Sequence, residues 1–130
     1  MNNEFEFYVE DEEESFEFYE NFSNNKQLND ELVEACGFKK LLPMKVQEGI
    51  NEGVLGLPAM KYKKLHGIKE PFNDNLTKDQ VDTKNIGIIL ATMRIRKHEK
   101  PELTHKEGKH IGLTSGQYAK RITLEAVHSS

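Results

Sequence analysis

The sequence predicts a small α+β domain, in which a mixed or antiparallel sheet packs against two or three helices. Residues 5–9 alternate apolar and polar side chains, as a half-buried strand does. Residues 86–95 are the most apolar stretch and hold four isoleucines and a threonine, which favours a central strand. Because 130 residues are too few for two ordinary cores, we expect one domain over residues 1–130.

The composition is that of a polar globular protein, with 36% hydrophobic and 31% charged residues. A single cysteine excludes a disulfide framework and a four-cysteine zinc site. No apolar run approaches the roughly 20 residues that a membrane span needs. The first four residues lack the charge and the apolar stretch of a signal peptide. We therefore expect a cytoplasmic protein without membrane contact.

Charge is distributed unevenly along the chain, although the formal net charge is only −4. Residues 1–34 form an acidic segment with twelve acids and one base, a net charge of −11. Residues 35–130 form a basic body with 17 bases and ten acids, a net charge of +7. This asymmetry predicts that one part meets a partner of opposite charge, or that one part covers the other.

The acidic segment allows two interpretations after its first strand. The tetrad Phe-Glu-Phe-Tyr at residues 5–8 recurs at residues 16–19, so the repeat could be the second arm of a hairpin. Alternatively, residues 11–22 form a helix, since acids suit the positive end of a helix. The five acids at residues 10–14 would crowd a tight turn, which favours a strand followed by a helix.

The middle of the chain predicts two helices and an irregular segment. Asn29 can cap a helix over residues 30–42, and Pro43 ends or kinks that helix. Residues 44–54 form a weaker helix, because two glycines lie within it. Residues 55–75 contain two glycines and two prolines, which indicates a long irregular segment.

The capping-box pattern at Thr77 and Gln80 predicts a short helix. In the strand expected after it, Ile88 and Leu90 should face the core together with Phe7 of the first strand.

The last third predicts a loop over residues 101–109 and a short strand over residues 110–113. Residues 115–127 fit the periodicity of a helix and of a strand equally, and that choice stays open.

Three histidines, His98, His105 and His110, lie close in sequence among glutamates. Imidazole and carboxylate are ligand types for zinc, and histidine can act as a general acid or base near neutral pH. Their spacing matches no motif such as His-Glu-x-x-His. A small hydrolase that uses these histidines is therefore only the third functional hypothesis. The leading expectation is a protein with no metal, no cofactor and no catalytic activity.

Two other features have simple structural interpretations. Glycines 108, 112 and 116 give a superficial likeness to a phosphate-binding loop, but the P-loop order is absent and a turn explains them. Cys36 lies in an apolar helical context, which favours a buried structural thiol over a nucleophile.

The density of acids carries the leading functional hypothesis. It is a non-catalytic binding or inhibitory protein whose acidic surface engages a basic site on a protein partner. Spaced carboxylates can imitate a nucleic-acid backbone, as in inhibitors made by mobile elements, so the partner could itself be a nucleic-acid-binding protein. The candidate partner-binding residues are Glu10, Asp11, Glu12, Glu13, Glu14, Glu17, Tyr8 and Tyr19.

The alternative hypothesis is a nucleic-acid-binding domain that uses the basic body. Two clusters of bases could contact several phosphates if the fold brings them to one face. The candidate residues are Lys61, Lys63 and Lys64 in the first cluster and Arg94, Arg96 and Lys97 in the second. The oligomeric state is open.

Overall fold

The computed structural model describes residues 26–68 and 76–129, and their side chains as far as residue 124. These ranges contain five α-helices and no strand: α1 Lys26–Phe38, α2 Pro43–Leu55, α3 Ala59–His66, α4 Lys78–Lys97 and α5 His105–Ser129. The α+β prediction is therefore wrong, since both strands expected in the described ranges are helical. The predicted strand at residues 5–9 and the element at residues 11–22 lie outside the described residues.

The predicted central strand at residues 86–95 is the second half of α4. This helix begins at the expected capping box: Gln80 N donates to Thr77 Oγ1 at 3.1 Å, and Thr77 N donates to Gln80 Oε1 at 2.9 Å. It then continues through the isoleucine-rich stretch instead of ending after a few residues. Tertiary packing of the apolar side chains outweighs their preference for strands, which is a weak local effect.

The helical geometry of α4 separates two side chains that a strand would place together. Ile88 is fully buried, as predicted, whereas Leu90 is only partly buried. Residues two apart share a face of a strand but point to nearly opposite sides of a helix. The prediction that Leu90 belongs to the core is wrong for this reason, and Phe7 lies outside the described residues.

The predicted loop, short strand and undecided segment at the end of the chain form one helix, α5. It starts with a second capping box, in which Glu107 N donates to Thr104 Oγ1 at 3.1 Å and Thr104 N donates to Glu107 Oε1 at 2.9 Å. The turn expected near Gly116 is absent from this helix.

Glycines four residues apart bring α2 and α5 into backbone contact. A β-carbon at Gly49 of α2 would lie 2.1 Å from the carbonyl oxygen of Lys109, and one at Gly53 would lie 2.4 Å from that of Leu113. Gly112 and Gly116 of α5 meet the α2 backbone in the same way, whereas Gly108 faces the side chain of Leu41. Residues 44–54 are helical as predicted, and their glycines are the packing surface.

The contacts give the directions of the helices. Gly112 faces the carbonyl of Val46 and Gly116 faces that of Ile50, so α2 and α5 run in the same direction. The hydroxyl of Thr83 in α4 lies 3.1 Å from that of Thr123 in α5, whereas Arg94, later in α4, contacts Thr114, earlier in α5. The helices α4 and α5 therefore run in opposite directions. The buried core joins α1, α2, α4 and α5 through Leu32, Cys36, Val46, Ile50, Ile88, Ala91, Ile95 and Ile111.

The first helices differ from their predicted bounds. Asn29, expected as an N-cap, lies inside α1, is fully buried and accepts a hydrogen bond from Gln47 Nε2 at 2.5 Å. Part of the predicted irregular segment is the helix α3, which is followed by the C-cap residue Gly67 with a left-handed φ of 62°. Within the described ranges, no helix is both long and apolar enough to cross a bilayer.

Candidate functional site

A groove follows the junction of α4 and α5. It consists of three adjoining cavities: the first two share His98 and His110, and the last two share Leu90 and Arg94. The largest has a volume of about 630 Å³. We call this surface the α4–α5 groove, and its lining includes Leu90, Met93, Arg94, Lys97, His98, Lys106, His110, Tyr118 and Arg121.

Arg94 is held in this groove by two hydroxyl groups of the facing helix. Its Nη1 donates to Thr114 Oγ1 at 2.6 Å and to Ser115 Oγ at 3.1 Å, and Ser115 is fully buried. The Arg94 side chain nevertheless remains exposed. A guanidinium has five N–H donors, so the remaining donors are available to a phosphate or carboxylate in a fixed orientation.

Tyr118 and Arg121 form the other end of the groove. The guanidinium carbon of Arg121 lies 5.5 Å from the centroid of the Tyr118 ring, a cation–π contact. Tyr118 is 50% exposed, so its ring is accessible to a ligand. The two residues combine a flat apolar surface with a positive charge.

Four cations of the groove lack a carboxylate within ion-pair distance among the residues that the structure describes. They are Arg94, Lys97, Lys106 and Arg121, which we call the groove cations. Neighbouring bases are neutralised instead: Arg96 faces Glu34 at 3.9 Å, and Lys109 faces Glu52 at 4.0 Å.

One acid at the groove is occupied by interactions of its own. The ammonium of Lys100, with the backbone N–H of Thr104, lowers the pKa of Glu107 to about 2. Glu107 is therefore ionised at neutral pH, and its carboxylate forms an ion pair with Lys100. Glu99 also lines the groove, so the surface is mixed but predominantly cationic.

The structure separates the two predicted basic clusters. The first cluster lies on α3, where Tyr62 Oη accepts a hydrogen bond from Gln80 Nε2 at 3.1 Å near the start of α4. Arg94 is 14 residues further along α4, or about 21 Å. The clusters therefore do not form one surface, and Arg96 turns towards α1. Of the predicted residues, only Arg94 and Lys97 line the groove.

All eight residues predicted to bind a protein partner, Glu10, Asp11, Glu12, Glu13, Glu14, Glu17, Tyr8 and Tyr19, lie outside the described residues.

Two of the three histidines come together, and the third does not. His98 and His110 line the same cavities, whereas His105 at the start of α5 is not among the lining residues. The His98 imidazole accepts a hydrogen bond from Lys100 N at 3.2 Å. In residues 26–68 and 76–129, no group of three or more His, Cys, Asp or Glu side chains could hold a metal ion.

Cys36 is a buried structural thiol, as predicted. It is fully buried in the core, and burial raises its pKa to about 12. The reactive thiolate form is therefore suppressed at neutral pH.

Sequence reasoning noted bases in this part of the chain, Lys106 and Arg121 among them, but did not place them on one face with Tyr118. His110, Thr114, Tyr118 and Arg121 are spaced four, four and three residues apart, which places them on one face of a helix. That signal was available, but the intervening glycines indicated a turn. The assembled groove can hold an anionic chain by charge and by contact with the Tyr118 ring. No protein-family model matches the sequence, and neither a curated protein nor a solved structure matches it.

Proposed function

We propose that this protein is a non-catalytic nucleic-acid-binding protein and that the α4–α5 groove binds the nucleic acid. The observation that carries the proposal is the assembly of the four groove cations with the exposed Tyr118 ring in one continuous groove. Phosphate groups supply the negative charges that the cations lack among the described residues. The cytoplasmic location expected from the sequence remains a prediction.

A single strand suits this groove better than a duplex. An exposed aromatic ring can stack with a base only if that base is accessible, and stacking contributes about 1–3 kcal/mol per base. Lys106 and Arg121 are 15 residues apart on α5, or about 22 Å, which leaves room for several phosphates. Recognition would depend little on sequence, since phosphates and base faces are common to all nucleotides.

The salt dependence of binding tests this proposal. Fluorescence anisotropy with a mixed-sequence single-stranded 20-mer should give a slope of log affinity against log salt near −3, because four phosphate contacts release counterions at about −0.7 each. The variant K97Q/R121Q should reduce the slope by about 1.4. The variant K61Q/K64Q removes two exposed charges from α3 and is the matched control, for which we expect no change.

The contribution of Tyr118 can be tested in the same assay. Tyr118→Ala should weaken binding by about 1–3 kcal/mol, whereas Tyr118→Phe should retain the stacking. Absence of binding by every form of the protein, including the acid-neutralised variant described below, would exclude the proposed function. An equal loss in K97Q/R121Q and K61Q/K64Q would place the binding surface elsewhere.

A second candidate function follows from the charge of the N-terminal residues. Residues 1–25 contain nine acids and no base, a density that suits a basic site on a protein partner. Replacing Glu12, Glu13, Glu14 and Glu17 by Gln should slow association with a partner that co-purifies with the protein, because charge mainly accelerates encounter. An unchanged association rate would exclude this role.

A further inference from the structure

We infer that the acidic residues 4–20 dock on the α4–α5 groove of the same chain, where they compete with nucleic acid. The competition rests on the proposed function, whereas the docking requires only the groove and the acidic residues. The sequence predicts that the acidic surface engages a basic site on a protein partner. In this inference the basic site is the α4–α5 groove of the same chain.

Charge complementarity is the first support for the docking. Residues 4–20 contain nine carboxylates and no base, and the four groove cations have no carboxylate partner among the described residues. Cations within the same chain meet these acids at millimolar effective concentration, which favours weak contacts that would not form between separate molecules.

Apolar complementarity is the second support, and it favours a peptide over a nucleic acid as the occupant of the groove. Met93, which lines the groove on α4, is 45% exposed. Ile89, one turn before Met93, is 43% exposed, and Ile122, one turn beyond Tyr118 on α5, is 37% exposed, so helical spacing places both next to the groove. Residues 5–22 contain seven aromatic side chains among the acids. An acidic and aromatic peptide would cover both the cations and this apolar border.

The chain is long enough to reach the groove. Glu34 of α1 lies 3.9 Å from Arg96, and Lys39 Nζ donates to the His98 carbonyl at 2.6 Å, so α1 and α4 run side by side in the same direction. Lys26 is eight residues before Glu34 and therefore lies near the level of Ile88. From Lys26, an extended chain reaches about 20 Å at Glu20 and about 55 Å at Glu10. Crossing α4 requires only about 10–12 Å.

A spin label at position 12 tests the docking without any nucleic acid. The only native thiol, Cys36, is fully buried, so a nitroxide reagent should label the Glu12→Cys variant at position 12 alone. Mass spectrometry of the wild-type protein after the same treatment checks this selectivity. We expect paramagnetic broadening of the amide NMR signals of residues 90–98 and 110–121, with little effect on α3.

Charge variants show whether this broadening depends on the groove. It should be lost in K97Q/R121Q and retained in K61Q/K64Q, the matched control on α3. Thermal unfolding of each variant verifies that the fold is intact. Broadening that is absent, or that persists in K97Q/R121Q, would overturn the inference. Mixing labelled protein with isotope-enriched unlabelled protein tests for contact between two copies, and equal broadening in that mixture would also overturn docking within one chain.

The competition is tested by neutralising the acids. E12Q/E13Q/E14Q/E17Q should bind the single-stranded 20-mer about tenfold more tightly at 50 mM salt, because the competing segment is weakened. The matched control D30N/E31Q/D79N/D82N removes four acids from α1 and α4, none of which pairs with a base of the groove. Equal tightening in the control would mean that net charge alone causes the effect, which would overturn the competition.

The two experiments separate the docking from the proposed function. Broadening at the groove without any oligonucleotide binding would support the docking and exclude the proposed function. Oligonucleotide binding that the acid variant leaves unchanged, together with no broadening, would overturn the inference and leave the proposed function intact.

Discussion

The carbonyl oxygen of Val46 lies so close to Gly112 that a β-carbon at Gly112 would be only 2.2 Å from it. Real β-carbons essentially never come within 3.0 Å of such an atom. The same relationship recurs one turn later, where a β-carbon at Gly116 would lie 2.5 Å from the carbonyl oxygen of Ile50. The two backbones therefore set the position of α5, and α5 in turn forms one wall of the groove.

Gly112→Ala should destabilise the protein. The added methyl group has to separate two backbones, and overpacking of this kind costs about 1–3 kcal/mol or more, against a gain in helix propensity of at most about 1 kcal/mol. Gly37→Ala is the matched control, since a β-carbon at Gly37 meets nothing within 4 Å. Urea unfolding should show G37A unchanged or slightly more stable. If G112A were as stable as G37A, the close backbone contact would be disproved.

Local signals predicted parts of this fold correctly. The capping box at Thr77 marks the start of α4, and the helical character of residues 44–54 was recognised despite its glycines. Both features depend on residues close in sequence. The choice between strand and helix for residues 86–95 depends instead on what the isoleucines pack against, which includes α1 and α2. Propensity alone favoured the wrong answer there.

The candidate site was harder to predict because it depends on the α5 helix. Once Gly108, Gly112 and Gly116 are assigned to a turn, Tyr118 and Arg121 have no relationship to His110. The spacing of four residues between the glycines was the better signal, since it places them on one helix face. A matching pair, Gly49 and Gly53, occurs in α2. The two patterns together indicate close helix packing.

Lys84→Met should stabilise the protein more at pH 7 than at pH 9.5. Lys84 is the largest fully buried side chain among the described residues, and burial lowers its pKa well below the ordinary value. At a pH between the lowered pKa of Lys84 in the folded protein and its ordinary pKa in the unfolded chain, the unfolded chain binds more protons than the folded protein. The stability of the wild type therefore rises with pH in this range, and K84M should lack that rise. Urea unfolding at both pH values measures it, with exposed Lys97→Met as the control. A gain that is the same at both pH values would contradict burial as the cause.

Glu107→Gln should flatten the loss of stability in acid. The pKa of Glu107 is about 2 in the folded protein and about 4.3 in an unfolded chain, so the unfolded state binds more protons between these values. Stability from the ionised group is therefore present above about pH 4.3 and is lost as the pH falls through 2. The Gln side chain still offers an oxygen to Thr104 N, whereas Glu107→Ala removes the cap at every pH. Thermal midpoints at pH 3 and pH 6 should distinguish the two variants, and parallel acid profiles for wild type and E107Q would contradict the assignment.

Arg94 should contribute to nucleic-acid binding through its fixed position as well as its charge. Thr114→Val removes the hydroxyl that accepts from Arg94 at 2.6 Å and leaves the guanidinium charge in place. We expect about twofold to fivefold weaker binding of the single-stranded 20-mer with an unchanged salt slope, because a mobile guanidinium loses entropy on binding. Arg94→Gln should instead reduce the slope by about 0.7, the contribution of one phosphate contact. Thr114→Ser keeps the acceptor and should bind like the wild type, and unfolding measurements on all three variants exclude a general loss of fold. If T114V reduced the salt slope as much as R94Q, the variant would have lost the phosphate contact of Arg94 itself. The loss of a fixed guanidinium orientation would then not explain the weaker binding.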